Sequence, residues 1–459
     1  MEPQNFTALL LGKIIKFLTR KLKIGGGTAA PGLASLFLSK NFIKDITRAN
    51  NLSSVVVTGT NGKTTTARML SHITNKNGTK SIHNRAGSNL LRGIAASLVE
   101  SANFGGKLTC DLGIWETDEA VMPATVVQLK PKVIVINNLF RDQLDRFGEI
   151  ENLRKIWTET VKSLDKKQTL VLNTDDPQIA YLGNQTEAKV LYFGIVDQTV
   201  GLTQIPAAAD AKFCPNCQSL LAYNNVYVYH MGNYYCPKCS LKKPKPAIFA
   251  EKIFFIKPES VEFKLVTPNG ETKIKLSVGG LYNIYNALAA AAASFALGID
   301  LTKIAAGLTE FKAAFGRVER FKVDGKTLTM FLVKNPAGFS EVVKTLFATS
   351  SKKDVLLALN DNIADGTDVS WIWDVEFGQM GRNYRKVFVT GCRANDLALR
   401  LKYAGIGNFE LIENDMEKTL KIAIKNSAKN LYLLPTYTAM LELRKILNQM
   451  GHGTKFWED

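Results

Sequence analysis

Val55-Val56-Val57-Thr58-Gly59-Thr60-Asn61-Gly62-Lys63-Thr64-Thr65-Thr66 runs from an apolar stretch through a glycine-containing turn into the helix-like segment Ala67 to Asn75. Strand, loop and helix in that order mark a phosphate-binding loop. The general pattern G-x-x-x-x-G-K-[ST] would put glycine at 57, where this chain has Val57, so Gly59 stands two positions late and the loop is a shortened variant. Glycines let backbone N–H groups close on phosphate oxygens, and a helix N-terminus faces the anion. Lys63 offers a point charge and Thr64 a hydroxyl for Mg²⁺. The expected nucleotide-binding residues are Gly59, Thr60, Asn61, Gly62, Lys63, Thr64 and Thr65, with Lys63 also acting on the transferring phosphoryl group. A plain Gly-Thr turn before an ordinary helix would not call for Lys directly after Gly and Thr directly after Lys.

At 459 residues the chain exceeds what one hydrophobic core usually serves, so two or three domains are expected. Its longest nearly uninterrupted apolar run, Ala287 to Ile299, contains Ser294 and falls short of the roughly 20 residues a spanning helix needs. Near the N-terminus, Leu9, Leu10, Leu11, Ile14, Ile15, Phe17 and Leu18 interleave with Lys13, Lys16, Arg20, Lys21 and Lys23. Charges inside the apolar stretch argue against a signal peptide. We read an amphipathic basic helix over this part of residues 1–50, which either docks its apolar face on the next domain or lies on an anionic membrane surface. The net charge of +17 asks for an anionic environment, and nucleic acid, anionic lipid and phosphorylated substrates all qualify. Four of the six cysteines fall in two C-x-x-C pairs and Cys110 and Cys392 stand alone, which suggests a reducing cytoplasm over a disulfide framework.

From the phosphate loop onward strand and helix patterns alternate, through Leu112 to Trp115, Val133 to Asn137, Leu170 to Asn173 and Val190 to Phe193, with helices over 64–75 and 151–164. That rhythm predicts a parallel, helix-covered sheet. It breaks near Gln204, where the cysteine pairs enter, and resumes after Lys242-Lys243-Pro244-Lys245-Pro246, so residues 205–246 read as an insertion in a central domain of 51–316. An alanine-rich helix near 283–297 closes that domain, and 317–459 alternates again as a smaller, Rossmann-like α/β domain.

The insertion reads C-P-N-C at 214–217 and C-P-K-C at 236–239, inside the C-x₂-C-x₁₅₋₂₀-C-x₂-C window. Cys214, Cys217, Cys236 and Cys239 are expected to hold Zn²⁺ as a zinc ribbon, and four protein ligands make that zinc structural. A redox role needs only one pair, and buried thiols explain neither spacing. An insertion this short has little core of its own, so metal binding would supply much of its folding energy. Trp115-Glu116-Thr117-Asp118-Glu119 ends a strand expected beside the phosphate-loop strand, which makes Glu116 a second Mg²⁺ ligand unless it is only a solvated acidic turn. After the next strand, Asn137 to Gly148 carries a dense set of polar groups of the kind that positions substrates at a sheet edge, with a pairing of Asp142 and Arg146 to each other as the equal alternative.

Four segments together resemble the Mur ligases and their folylpolyglutamate synthase relatives: G-T-N-G-K-T-T at 59–65, D-Q-L-D-R-F-G at 142–148, G-G-L-Y-N-I-Y-N-A at 279–287 and G-R-V-E at 316–319. Within that superfamily the cysteine insertion, K-N-P-A-G at 334–338 and D-N-I-A-D-G-T-D-V-S-W-I-W-D at 361–374 are similar to the synthetase subunits of lipid II isoglutaminyl synthases, which work with a GatD-type glutaminase subunit. The resemblance implies a Mur ligase-like central ATPase domain and ATP-dependent amidation of the D-glutamate α-carboxyl in the lipid II stem peptide, through an acyl phosphate and with ammonia from the partner. It implies that Asn283 and Asn286 lie near the nucleotide base, that Arg317 reaches ribose or phosphates, and that Asp368 completes the Cys-His pair of the glutaminase, with Asp361, Asp365 and Asp374 as rivals. An Asp-Gly turn before an aromatic strand is the structural alternative for that segment. Lys155 falls loosely where some relatives carry a carbamylated lysine.

Departures narrow the activity. Gln143 stands where many amino-acid-adding relatives have histidine, and their Asp-x-x-His-Asn-Pro becomes Lys334-Asn335-Pro336. An amino-acid-adding ligase is the rival within the family; a nucleic-acid-binding NTPase is the rival outside it, but the cysteine ribbon lacks a dense aromatic and basic face, and no nucleic-acid partner is expected. The expected protein is a cytoplasmic synthetase subunit using ATP, Mg²⁺ and structural Zn²⁺, acting on a lipid-linked substrate at the membrane face.

Overall fold

The computed structural model describes residues 2–21, 29–84, 88–141, 150–206, 209–312 and 318–452. Arg317 and the segment 142–149, with Asp142, Gln143 and Arg146, lie outside them. The first sheet is built from β1 (Ser53–Thr58), β2 (Ser81–His83), β3 (Leu112–Glu116), β4 (Val133–Ile136), β5 (Thr169–Asn173) and β6 (Lys189–Ile195). An inserted hairpin, β7 (Ala222–Val228) with β8 (Met231–Tyr235), precedes β9 (Ile248–Ile256), β10 (Val261–Thr267) and β11 (Gly270–Leu276). The sheet order is β11-β10-β9-β6-β5-β4-β1-β3-β2, in which β10 runs antiparallel to β9 and β11 and the other pairs are parallel. Strands such as Val133–Ile136, buried along their whole length, are apolar without alternation because helices cover both faces.

One face is covered by α1 (Pro3–Lys21), α2 (Ala30–Leu38), α3 (Phe42–Ala49), α5 (Leu91–Ser101), α6 (Met122–Leu129), α7 (Ile150–Lys162) and the short α8 (Pro177–Leu182); the other by α4 (Lys63–Lys76), α9 (Leu281–Ala296) and α10 (Leu301–Glu310). In α9, Ala287 and Ala289 to Ala293 are all inaccessible to solvent, so these small side chains seat the helix directly on the sheet. The N-terminal helices are not an appendage. Ala8, Leu9, Phe42, Ile43 and Ile46 share one core cluster with Leu98, Trp115 and Trp157.

The cysteine insertion, expected to have little core of its own, packs into that of the main domain. Its hairpin contributes Tyr227, Val228, Tyr229 and Met231 to the α4–α9 core, and its Lys243 pairs with Asp175 beneath the sheet edge. His230, at the hairpin turn, is fully buried against Asp176 and Phe140. The cysteine tip stands clear of that core.

A second sheet begins at β12 (Val318–Val323) and continues with β13 (Lys326–Phe331), β14 (Lys353–Ala358), β15 (Tyr384–Thr390), β16 (Glu410–Leu411) and β17 (Asn430–Pro435), in the order β12-β13-β17-β14-β15-β16. All its pairs but β12–β13 are parallel. Helices α11 (Pro336–Phe347), α12 (Ala394–Tyr403), α13 (Met416–Asn426) and α14 (Tyr437–Gln449) cover it over two apolar cores.

Candidate active site

β1 lies between β3 and β4, so the connections leaving it diverge and a crevice opens at its carboxyl end. The phosphate loop occupies that crevice. Gly59 and Gly62 have φ of 124° and 85°, which only glycine adopts without strain, and a Cβ at Gly62 would collide with Asn286 Oδ1. The loop stands on the segment after β4: Thr60 Oγ1 donates to Phe140 O at 3.1 Å and the Asn61 N–H to Asn138 Oδ1 at 2.8 Å.

Lys63 opens α4, and its ammonium is buried. It donates to Gly59 O at 2.7 Å and reaches both carboxylate oxygens of Glu119 at 3.1 Å. Thr64 Oγ1 donates to Glu116 Oε1 at 3.0 Å, and β1–β3 register puts Glu116 beside Val57. A buried hydroxyl facing a buried carboxylate is an all-oxygen donor pair, the kind a hard divalent cation accepts. Thr65, on the next position of α4, lines the cleft between the two sheets.

Asn283 and Asn286, one turn apart on α9, are buried in that cleft against the loop; Asn286 Nδ2 donates to Asn283 Oδ1 at 3.0 Å. From the opposite wall comes Asn335, whose Nδ2 donates to Asn61 Oδ1 at 3.0 Å while its own Oδ1 caps α11 through the Gly338 N–H at 2.8 Å. The two sheets thus meet at the phosphate loop itself. Lys155 is exposed on α7, away from the buried Leu153 and Trp157 face, and nothing brings it to the cleft.

The four aspartates of 361–374 separate by their surroundings. Asp365 is buried and accepts from the Thr438 N–H at 2.8 Å. Asp361 pairs with Arg393 at 2.9 Å, and Asp374 with Arg141 at 2.9 Å. Asp368 is exposed, has no cationic partner among the described residues, and accepts from the Ser370 N–H at 2.8 Å and the Ser370 hydroxyl at 2.9 Å. Those two bonds hold its carboxyl below its ordinary pKa, so it stays ionised. The segment that follows, Ser370–Asp374, is a short 3₁₀ helix instead of an aromatic strand. Around it Ile363, Trp373, Leu399 and Tyr403 are exposed, with Trp373 and Tyr403 edge to face at 5.5 Å.

Cys214, Cys217, Cys236 and Cys239 bring their sulfurs within 4.8 Å of one another, with pairs at 3.5 and 3.7 Å. A tetrahedron with metal–sulfur bonds of about 2.3 Å has edges of roughly 3.8 Å, so the thiols fit such a metal.

Two family profiles match: the Mur ligase middle domain over residues 57–232 and the MurT ligase C-terminal domain over 332–440. The chain is 32% identical to the lipid II isoglutaminyl synthase (glutamine-hydrolyzing) subunit MurT of Streptococcus pneumoniae, covering 97% of this chain and 98% of that one. With the subunit of the same name from Staphylococcus aureus strain COL it shares 30% identity over 98% of this chain and 99% of that one. The chain belongs to the MurT family. As a MurT-family protein it is an ATP-dependent ligase of the Mur type with a role in peptidoglycan synthesis. Among solved structures, a pseudomurein peptide ligase type C from Methanothermus fervidus superposes with a TM-score of 0.66 at 24% identity, covering 87% of this chain and 79% of that one. MurF ligase from Thermotoga maritima in complex with ADP superposes with a TM-score of 0.64 at 15% identity, over 91% of this chain and 85% of that one. Both show the Mur ligase fold.

Several groups of this MurT-family site carry no motif of their own. Glu119 lay in a segment read for Glu116, and only tertiary structure pairs it with Lys63. Arg141 bridges Asp210 and Asp374 across the domain junction, a link between residues far apart in the chain. Glu341, on α11, lines the cleft; burial pushes its carboxyl up to about 7, opposed by Lys344 and reinforced by Glu376. Its spacing after Asn335 is the only signal the sequence offers.

Proposed function

We propose that this chain is the synthetase subunit of a lipid II isoglutaminyl synthase, amidating the D-glutamate α-carboxyl of the lipid II stem peptide with ammonia from a GatD-type glutaminase. The observation that carries this reading is the pairing of two sites in one chain. A phosphate loop with Lys63, Thr64 and Glu116 faces the interdomain cleft, and an exposed, ionised Asp368 stands on the second domain in a hollow shared with Trp373.

The substrate carboxylate attacks the γ-phosphoryl group of ATP, giving an acyl phosphate and ADP; ammonia then attacks the carbonyl carbon, and phosphate leaves with the C–O bond electrons. Carboxylate oxygen is a poor leaving group and phosphate a good one, so activation must precede amide formation. Loop N–H groups and Lys63 cradle the phosphates and oppose the charge that spreads over the transferring group. Thr64 and Glu116 would hold Mg²⁺, which supplies further neutralisation of that charge. Asn283 and Asn286 shape the nucleotide end of the cleft, and Arg317 is assigned to ribose or phosphates. The cysteine tip would hold a structural Zn²⁺.

Asp368 acts on the partner. An ionised carboxylate orients and charges the histidine of a Cys-His pair, as a third group does in a triad. Trp373, Tyr403, Ile363 and Leu399 are the aromatic and aliphatic anchors on which a partner's surface would dock. The work is placed at the cytoplasmic face of the membrane, where a lipid-linked substrate is accessible.

The deciding experiment is ATP-dependent amidation of lipid II by the purified chain, with ammonium alone and with glutamine plus a co-expressed glutaminase. Activity with ammonium, and with glutamine only when the partner is present, supports the proposal. No amidation under either condition, with ATP hydrolysed on adding an amino acid, assigns the chain to amino-acid addition instead.

A further inference from the structure

Helix α1 buries one face and leaves the opposite one apolar as well. Asn5, Ala8, Leu9 and Gly12 point inward; Ser35 Oγ donates to Ala8 O at 2.9 Å, Asn5 Nδ2 to Asp45 Oδ2 at 2.9 Å, and Lys13 Nζ to Val99 O at 3.1 Å. This contact satisfies the docking role that a single amphipathic stripe requires. On the outward side, Phe6, Ile14, Phe17 and Leu18 are exposed, Phe17 at 65%. The neighbouring α2 exposes Leu33 and, at 85%, Phe37. A surface helix that is apolar on both faces expects a second cover.

The charges around this surface indicate what covers it. Within Pro3–Lys21 the cations are Lys13, Lys16, Arg20 and Lys21, and there is no carboxylate. The Lys21 ammonium lies 6.0 Å from the Phe17 ring centre, while Glu100 of α5 pairs with Lys16 and Asp45 meets Asn5 on the inward side. No described helix is long and apolar enough to cross a membrane. Aromatic and aliphatic side chains with the Lys21 ammonium beside them, on a helix that carries four cations and no carboxylate, match the boundary of an anionic bilayer, where apolar groups enter the acyl edge and cations meet phosphate headgroups.

We propose that the outward face of α1 with Leu33 and Phe37 of α2 docks this chain peripherally on an anionic membrane. The inference goes beyond the amidation reading and does not depend on it, since docking needs neither ATP nor an acceptor carboxylate.

The test is flotation of the full-length chain with vesicles of equal phosphatidylglycerol and phosphatidylcholine, against vesicles of phosphatidylcholine alone, at low and high salt. The expected result is binding to the anionic vesicles only, weakened at least tenfold by high salt. The triple variant Ile14→Ser, Phe17→Ser, Phe37→Ser should lose that binding with an unchanged far-ultraviolet spectrum. Because all three side chains are exposed, a second variant, Lys21→Glu, keeps the idea testable if the triple variant folds poorly; it should weaken anionic-vesicle binding without touching the apolar face. No binding by the unmodified chain, or equal binding by both variants, overturns the proposal. Light scattering that shows a dimer abolished by the triple variant, with no vesicle binding, assigns the face to a second copy and also overturns it.

Discussion

Lys63 Nζ lies 3.1 Å from each carboxylate oxygen of Glu119, and both side chains are about 95% buried. The cation we propose for phosphate binding therefore already has a counter-ion, and on that reading an incoming triphosphate competes with Glu119 for it. Lys63→Ala should lower ATP-dependent turnover by about a thousandfold or more. It also removes one partner of the buried Glu119 carboxylate, so stability should fall, readable in denaturant midpoints. Activity within tenfold of the unmodified chain would remove the loop from the mechanism.

Asp368→Asn should silence glutamine-driven amidation and leave ammonium-driven amidation intact, because only the supply of nitrogen is touched. The side chain is exposed and its bonds are local, so stability should change by no more than about 0.5 kcal/mol. Loss of both activities would place Asp368 in the synthetase centre or in the fold.

Asn335 joins a helix cap to the phosphate loop, and two substitutions separate those roles. Asn335→Ala removes the bond to the Gly338 N–H and should cost about 1 kcal/mol. Asn335→Asp keeps a cap acceptor but loses the donor to Asn61, so stability should hold while the KM for ATP rises. Equal KM values in both variants and the unmodified chain would show that the domain contact does not bear on nucleotide binding.

Glu341 predicts a pH dependence of stability. Its folded pKa is raised to about 7, above the roughly 4.3 of an unfolded glutamate, so the folded protein holds the proton more tightly. The stability this contributes is fully present below about pH 4 and is lost as pH rises through about 7, a difference on the order of 3 kcal/mol. Glu341→Gln should flatten the profile over that window. Midpoints of urea unfolding at several pH values will show it, and an unchanged slope would mean that Glu341 titrates normally.

Metal analysis should find about one zinc per chain, lost in Cys214→Ser. Because the β7–β8 hairpin belongs to the main core, the variant should stay folded overall, with new protease cleavage confined to the cysteine tip. A metal-free chain with a protected tip would exclude the zinc.

The alternating pattern and the loop 58–66 make the first sheet legible, since each buried parallel strand is a short apolar run and each crossover a helix. Thr64 and Glu116 are legible together because they end adjacent strand-to-helix units of one sheet edge. Glu119, Arg141 and Glu341 are not: Lys63–Glu119, Arg141–Asp374 and the burial of Glu341 arise only when elements far apart in sequence close on each other. The insertion shows the same limit. C-x-x-C spacing announces the tip, but Tyr227, Val228 and Met231 carry no mark that they belong under α9.

That shared core has a consequence for engineering and for descent. Residues 205–246 are not a cassette that can be cut out and replaced by a short linker, because excision would strip side chains from beneath α9 and remove Lys243, the cation facing the buried Asp175. A chimera that trims this chain should keep the hairpin 222–235 and Lys243 and shorten only the segments that carry the cysteines.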